Sequence, residues 1–297
     1  MTVNAFQALS CPLDGDPLKR FDSLWRCAAG HSFDIAREGY IHLLPVQKKR
    51  SRDPGDSKAM IAARRRFLNS GSYQPIAAAV NQAVLAGLST DGSISCLDAG
   101  CGEGYYLREL ANAANTTGAA NAEQTLSVLG LDISKWAVIS AAKQQPGPCW
   151  VVGSNANLPV QSCSLDRILC LFGFPVYAEF ARVLKPGGVL LQVDAGPDHL
   201  RELREIIYPS LKPERAADLN PPAGFSKLNA NSVSYSLHLN SAEQIADLLT
   251  MTPHLYRASA EGRAKAARLT ELSVSVDVRL LRFSRMPEQE QKTATVS

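Results

Sequence analysis

The chain lacks any apolar run of transmembrane length, has no basic segment leading into a hydrophobic leader, and shows no large excess of either charge. The first two absences exclude a helical membrane protein and a secretory precursor, so the sequence reads as soluble and cytoplasmic. The third is a formal net charge of only +3 over 297 residues, which confines any nucleic-acid-binding surface to a local patch. A disulfide framework is excluded as well, because the seven cysteines are odd in number and irregularly spaced. Cys96, Cys101, Cys149, Cys163 and Cys170 lie in or beside apolar stretches, where a free thiol behaves as a small buried hydrophobe. There is no internal repeat.

What is present is enough apolar residue, 45%, to build a sizeable core: one large domain plus an accessory module or two. Four regions separate by pattern. Residues 1–45 are short on helical periodicity. Residues 46–92 open with a polar run and continue as helix from Lys58 to Asn69, with Ser57 or Asp56 as N-cap and Gly71 past its end. From residue 93 to about 285, apolar runs alternate with helical segments. Strands are predicted at Ser93–Asp98, Ser127–Asp132, Cys149–Val152, Leu165–Phe172 and Val189–Asp194. Helices are predicted at Tyr105–Ala114, Trp136–Lys143 and Ala178–Leu184. That alternation implies a parallel α/β sheet covered on both faces. An insertion is predicted at about 197–230, then strands Val233–Leu239 and Ser273–Phe283 flanking a helix at Ser241–Met251, as an antiparallel edge. Residues 286–297 read as a polar, disordered tail.

After the first strand comes Asp98-Ala99-Gly100-Cys101-Gly102-Glu103-Gly104-Tyr105. Glycines there let the backbone turn sharply and approach a ligand, at the carboxyl end of a strand where doubly wound sheets bind their ligands. The spacing is not Gly-x-Gly-x-x-Gly, and no Lys-Ser/Thr pair follows for a triphosphate. Acidic Asp98 and Glu103 beside the glycines disfavour a pyrophosphate and suit a cation such as the sulfonium of S-adenosylmethionine. Asp132 ends the next strand, where a carboxylate can accept ribose hydroxyls or, alternatively, cap the following helix. Ser154 and Asn155 follow the third strand at the place of an adenine edge. With Leu171-Phe172-Gly173-Phe174-Pro175 and Leu184-Lys185-Pro186-Gly187-Gly188 in order behind them, residues 93–195 resemble the class I (Rossmann-like, seven-stranded) methyltransferases.

The front of the chain pairs Cys11-x-x-Asp14 with Cys27-x-x-x-His31, a zinc-ribbon-like spacing in which Asp14 stands where a cysteine is expected. Behind it runs Lys48-Lys49-Arg50-Ser51-Arg52-Asp53-Pro54-Gly55-Asp56-Ser57. These segments, with Ala63-Arg64-Arg65, Tyr73-Gln74-Pro75, Gly102-Glu103-Gly104-Tyr105-Tyr106 and Gly196-Pro197-Asp198-His199-Leu200, resemble the RlmA family over roughly residues 11–285. That family methylates guanine N1 in a hairpin loop of 23S ribosomal RNA. The resemblance implies an S-adenosylmethionine-dependent enzyme with a zinc module carried by Cys11, Asp14, Cys27 and His31. Carboxylate is a harder ligand than thiolate, so zinc occupancy stays open at this point. The resemblance also implies cofactor contacts from Tyr73 and His199, and it admits a homodimer.

Between Arg37 and Arg66 there are nine Lys or Arg against three acids, a local +6 in a chain of +3 overall. Lys48, Lys49, Arg50, Arg52, Arg64 and Arg65 are therefore candidates for an RNA backbone, although a solvated charge run has the same signature. Guanine N1 carries a proton near neutral pH, so a base is needed, and Asp194 is the carboxylate nominated for it. Phe172 and Phe174, after the fourth strand, are candidates for stacking on the target base. Two other classes share this sheet: a small-molecule methyltransferase, which has no need of the basic front, and a non-catalytic rRNA-binding protein.

Overall fold

Strands of near-continuous apolar residues, too short to be helices and joined by amphipathic helices, build the parallel core that the sequence pattern implies. The computed structural model describes residues 1–48, 51, 53–86, 93–117, 125–211 and 220–287. The chain opens with β1 (Thr2–Ala5), β2 (Lys19–Phe21), β3 (Leu24–Arg26), β4 (Ser32–Asp34) and β5 (Tyr40–His42). Helices α1 (Lys58–Asn69) and α2 (Gln74–Leu85) follow. The expected start of α1 is observed, because the Met60 N–H donates to Ser57 Oγ and so satisfies an orphan donor of the first turn. Then come β6 (Ser93–Ala99), α3 (Tyr105–Thr117), β7 (Thr125–Asp132), α4 (Lys135–Gln144), β8 (Cys149–Val152) and β9 (Leu165–Leu171). The remainder is α5 (Tyr177–Val183), β10 (Leu184–Ala195), α6 (Arg201–Ile207), β11 (Phe225–Leu239), α7 (Ala242–Met251), α8 (His254–Arg257), α9 (Ala260–Ala266) and β12 (Leu272–Arg285). No described helix is long and apolar enough to cross a membrane.

The large sheet runs β11-β12-β10-β9-β6-β7-β8-β5, with β1 beside β7. Its first seven strands are the seven-stranded arrangement expected, and β12 lies antiparallel between β10 and β11. From β6 the chain works outward to β8 on one side, then crosses to β9 on the other. This reversal opens a crevice at the carboxyl ends of β6 and β9, the place where such sheets bind ligands. Ile76, Val80, Leu107 and Leu203 pack on one face of the sheet, and Phe180, Leu190 and Trp25 on the other. Each fully buried side chain of this kind contributes about 2 kcal/mol.

Two features of the fold were not visible in the pattern. Strands β1 and β5, from the first 45 residues, join the large sheet, while β2, β3 and β4 form a small antiparallel sheet of their own. Cys11, Trp25 and Cys27 share a core with Leu158, Val160 and Phe180, so the front module is packed onto the body of the protein. The insertion expected at about 197–230 is shorter than its composition suggests. Residues 225–230 already belong to β11, because β12 supplies fourteen paired positions along its length. The polar sequence Ser226-Lys227-Leu228-Asn229-Ala230-Asn231 hides this: it lies exposed at the sheet edge, where nothing demands apolar side chains. Residues 212–219 of that insertion, and the predicted tail from residue 288, lie outside the described residues.

Candidate cofactor site and metal knuckle

The glycine-rich turn is formed by backbone geometry before any ligand is considered. Gly100, Gly102 and Gly104 take φ values of +106°, +55° and +86°, the left-handed region that side chains disfavour. At Gly104 a Cβ would also sit 2.8 Å from the Trp150 ring, so helix α3 approaches the sheet only because that atom is missing. The Gly100 and Cys101 N–H groups donate to the Leu131 carbonyl at 2.8 and 2.9 Å, which ties the turn to the end of β7.

Asp132 holds the same junction from the side. Its Oδ2 accepts from the Gly102 N–H at 2.9 Å and its Oδ1 from the Ser134 N–H at 2.7 Å. The helix cap is Ser134, whose Oγ accepts from the Ala137 N–H. Burial raises the Asp132 pKa, and the two backbone N–H groups oppose that rise. Each carboxylate oxygen keeps acceptor capacity for a hydroxyl.

Asp98 is 1% exposed, and neither of its carboxylate oxygens has a hydrogen-bond partner. Burial, and then the charge of Asp132, push its pKa up to about 8. A buried carboxylate without a donor is costly, and a cation placed beside it removes that cost. Two further orphan atoms lie close by. Asn155 donates from Nδ2 to the Ala99 carbonyl at 3.3 Å while its Oδ1 stays unpartnered, and the Tyr106 hydroxyl is buried without a partner. Ser154 closes the turn beside Asn155, with its Oγ accepting from the Ala156 N–H. A buried carboxyl group that a cation would ionise, free acceptors and a glycine cradle fit S-adenosylmethionine, which is cationic and rich in donors.

Two expected cofactor residues are placed differently. The Glu103 side chain is fully buried, and its carboxylate is taken up by Arg108 at 3.0 Å and by Gln144 Nε2 at 2.6 Å. It anchors helices α3 and α4 to the turn and has no free face for a ligand. Tyr105 is buried edge-on against Tyr106, at 5.1 Å between ring centroids. Of the two adjacent tyrosines, Tyr106 is the one whose hydroxyl sits near Asp98 without a protein partner. One step along a helix turns a side chain by about 100°, and no sequence signal separates the pair.

An aromatic wall closes the other side. Tyr73 and His199 are 4% and 8% exposed. Phe172 stacks on His199 at 5.7 Å with an interplanar angle of 26°, and lies 6.4 Å from Tyr73. Phe172 has φ +52°, a strained conformation for a bulky residue, held where its N–H donates to the Val193 carbonyl. Its ring is 41% exposed, and the Phe174 ring is 88% exposed. The Gly196 turn brings His199 into place, since a Cβ at 196 would overlap the Asp277 carboxylate. Asp194, at the end of β10, accepts from Gln192 Nε2 at 2.6 Å, and the Tyr177 hydroxyl donates to Gln192 Oε1 at 2.9 Å. Burial raises the Asp194 pKa.

At the front, the donor atoms of Cys11, Asp14, Cys27 and His31 all lie within 4.8 Å of one another. His31 turns Nδ1 inward, 2.8 Å from Asp14 Oδ2 and 3.4 Å from Cys27 Sγ. The Asp16 N–H donates to Asp14 Oδ1 at 2.9 Å, which leaves Oδ2 aimed at the cluster as a single-oxygen ligand. Two thiols, an imidazole and a carboxylate oxygen converging in this way fit a four-coordinate zinc ion. Burial raises the Cys11 thiol pKa to about 11, so a metal is needed to hold it as thiolate near neutral pH.

Of the basic candidates, Lys48 is exposed at the rim of a cleft of about 650 Å³ between the knuckle and residues 157–162. Arg65 is exposed on α1. Arg64 is not: its Nη1 pairs with Asp56 at 2.6 Å and its Nη2 donates to the Met251 carbonyl at 2.9 Å. Lys49, Arg50 and Arg52 lie outside the described residues.

This sheet, with its cradle at the switch point, defines a Rossmann-like methyltransferase, and the methyltransferase domain family matches residues 97–192. The zinc-ribbon family described as "RlmA, N-terminal" matches residues 9–52. A protein of Micromonospora griseorubida, named provisionally as a 23S rRNA (guanine-N(1)-)-methyltransferase, is 32% identical over 93% of this chain and 96% of its own length. The 23S rRNA (guanine(748)-N(1))-methyltransferase of Streptomyces fradiae is 33% identical over 68% of this chain and 69% of its own. The chain belongs to the RlmA family of methyltransferases.

Proposed function

We propose that this protein transfers the methyl group of S-adenosylmethionine to N1 of a guanine in a hairpin loop of 23S ribosomal RNA. Membership of the RlmA family, with both its parts on one chain, carries the reading. The buried Asp98 carboxylate without a partner supports the cofactor half of it.

S-adenosylmethionine, when bound, supplies an electrophilic methyl group on a sulfonium. Asp98 answers the positive charge, Asp132 the ribose, Asn155 the adenine edge, and Tyr73 with His199 the amino-acid end. Phe172 and Phe174 offer their faces to the target guanine or its neighbour, as unpaired bases of RNA stack on aromatic side chains. Most of the rate enhancement is positioning, because the transfer needs N1 in line with the sulfur–methyl bond. Asp194 accepts the N1 proton; the Gln192 amide holds one of its oxygens and aims the carboxylate without neutralising it. The zinc knuckle, Lys48 and Arg65 carry the RNA backbone, and the active unit is a homodimer. Mass mapping of 23S RNA from a strain lacking the gene tests the reading. Loss of one N1-methylguanine supports it, and an unchanged map overturns it.

A further inference from the structure

The polar run before α1 stood out in the sequence as a basic patch, yet its second half does something else in the fold. Gly55 has φ +83° and packs on the residues that follow Asp132; a Cβ there would meet Ile133 and Ser134 side-chain atoms at 2.9 Å. The Asp56 carbonyl accepts from Ser134 Oγ at 2.7 Å. Nearly two turns into α1, Arg64 reaches back to Asp56 with Nη1 and across to the end of α7 with Nη2. Its Nη1 lies 3.4 Å from where a Cβ on Gly102 would be, against the glycine-rich turn. Its side chain is 25% exposed, and that of Asp56 30%. The guanidinium therefore touches Asp56 in the segment before α1, the glycine-rich turn and the end of α7, and its charge opposes the rise in pKa of both Asp132 and Glu103.

We propose that Arg64, paired with Asp56 and packed on Gly102, is a positioning residue of the cofactor site and not a phosphate contact for RNA. Two committed bonds fix the guanidinium plane, and the plane fixes the height of the turn whose Gly102 N–H meets Asp132. A phosphate contact needs free donors facing solvent, and Arg65, the next residue, presents those instead. This inference rests on reading Gly100–Gly104 as the cofactor cradle.

The test is calorimetric titration of S-adenosylmethionine into the wild type, Arg64→Ala, Asp56→Asn and the double variant, beside gel-shift affinities for the 23S hairpin at two salt concentrations. Each single variant is expected to weaken S-adenosylmethionine by about tenfold, the size of losing charged hydrogen bonds that support a site indirectly. The double variant should lose little more, because the two residues act as one unit. KM for the cofactor should rise while kcat at saturating cofactor stays within about twofold, and hairpin affinity and its salt slope should not change. Weakened hairpin binding with unchanged cofactor affinity overturns the inference, as does no change in either. Asp56→Asn keeps the test alive if Arg64→Ala fails to fold. A wild type that does not bind S-adenosylmethionine overturns the cofactor reading itself; variants equal to a binding wild type overturn only the role of Arg64.

Discussion

Tyr73 and His199 are 126 positions apart in the chain, and the Tyr73 hydroxyl lies 3.3 Å from His199 Nε2. On its other side, His199 Nδ1 accepts from the Asp277 N–H, also at 3.3 Å. An imidazole that accepts at Nδ1 carries its proton on Nε2, so His199 donates to Tyr73 and leaves the tyrosine O–H free to donate onward.

Burial pushes the His199 pKa down to about 4, so the ring stays neutral across the working range. A depressed histidine stabilises the fold above its unfolded pKa of about 6.5, and that contribution is lost as pH falls toward 4. Melting temperatures of the wild type should therefore drop between pH 6.5 and 4.5 more steeply than those of His199→Gln. Tyr73→Phe should weaken S-adenosylmethionine by about tenfold in calorimetry, with the pH dependence of melting unchanged.

Asp98 has the opposite sign. Its folded pKa, raised to about 8, makes the protein without cofactor lose stability as pH climbs from about 4 through 8. Asp98→Asn should melt roughly 5 °C above the wild type at pH 8.5 without cofactor, and level with it near pH 4. The same substitution should weaken S-adenosylmethionine and flatten its pH profile, since wild-type affinity improves as the carboxylate ionises. Equal melting at both pH values would count against a buried, unpaired Asp98.

Zinc bound through Asp14 is expected at one ion per chain in protein prepared without chelator, measured by elemental analysis. Asp14→Cys should tighten zinc in a competition assay by about tenfold or more, because thiolate is the softer ligand. Asp14→Ala should release it and lower the melting temperature, because Cys11 and Cys27 sit in a core shared with Leu158 and Val160.

For RNA, Lys48→Ala and Arg65→Ala should each reduce the slope of log affinity against log salt by about one, uniformly across hairpin sequences. S-adenosylmethionine affinity should stay unchanged in both. A slope equal to the wild type's would remove that residue from the RNA surface.

Asp194→Asn is expected to lower kcat at neutral pH by roughly 10²-fold or more, with KM values little changed, as for loss of a positioned base. Gln192→Leu, which frees the carboxylate without removing it, should cost less and shift the acidic limb of the pH profile. Phe174→Ala should raise KM for RNA more than it lowers kcat.

The sequence by itself determined the class of fold, the glycine-rich turn and the family. Those are written in local patterns: strand–helix alternation, glycines where φ must be positive, and paired metal ligands at short spacing. Asp98 and Asp132 were nominated because each ends or nearly ends an apolar strand, and strand ends are where such sheets bind; the fold places both beside the glycine-rich turn. Only the tertiary structure decided which polar groups are already taken. Glu103 and Arg64 read as free charges until Arg108, Gln144, Asp56 and Met251 were brought against them from 5, 41, 8 and 187 positions away. Tyr106 differs from Tyr105 only by the direction it faces on α3. A charge in a sequence announces what it can bind; whether it is still free depends on partners that folding supplies from elsewhere in the chain.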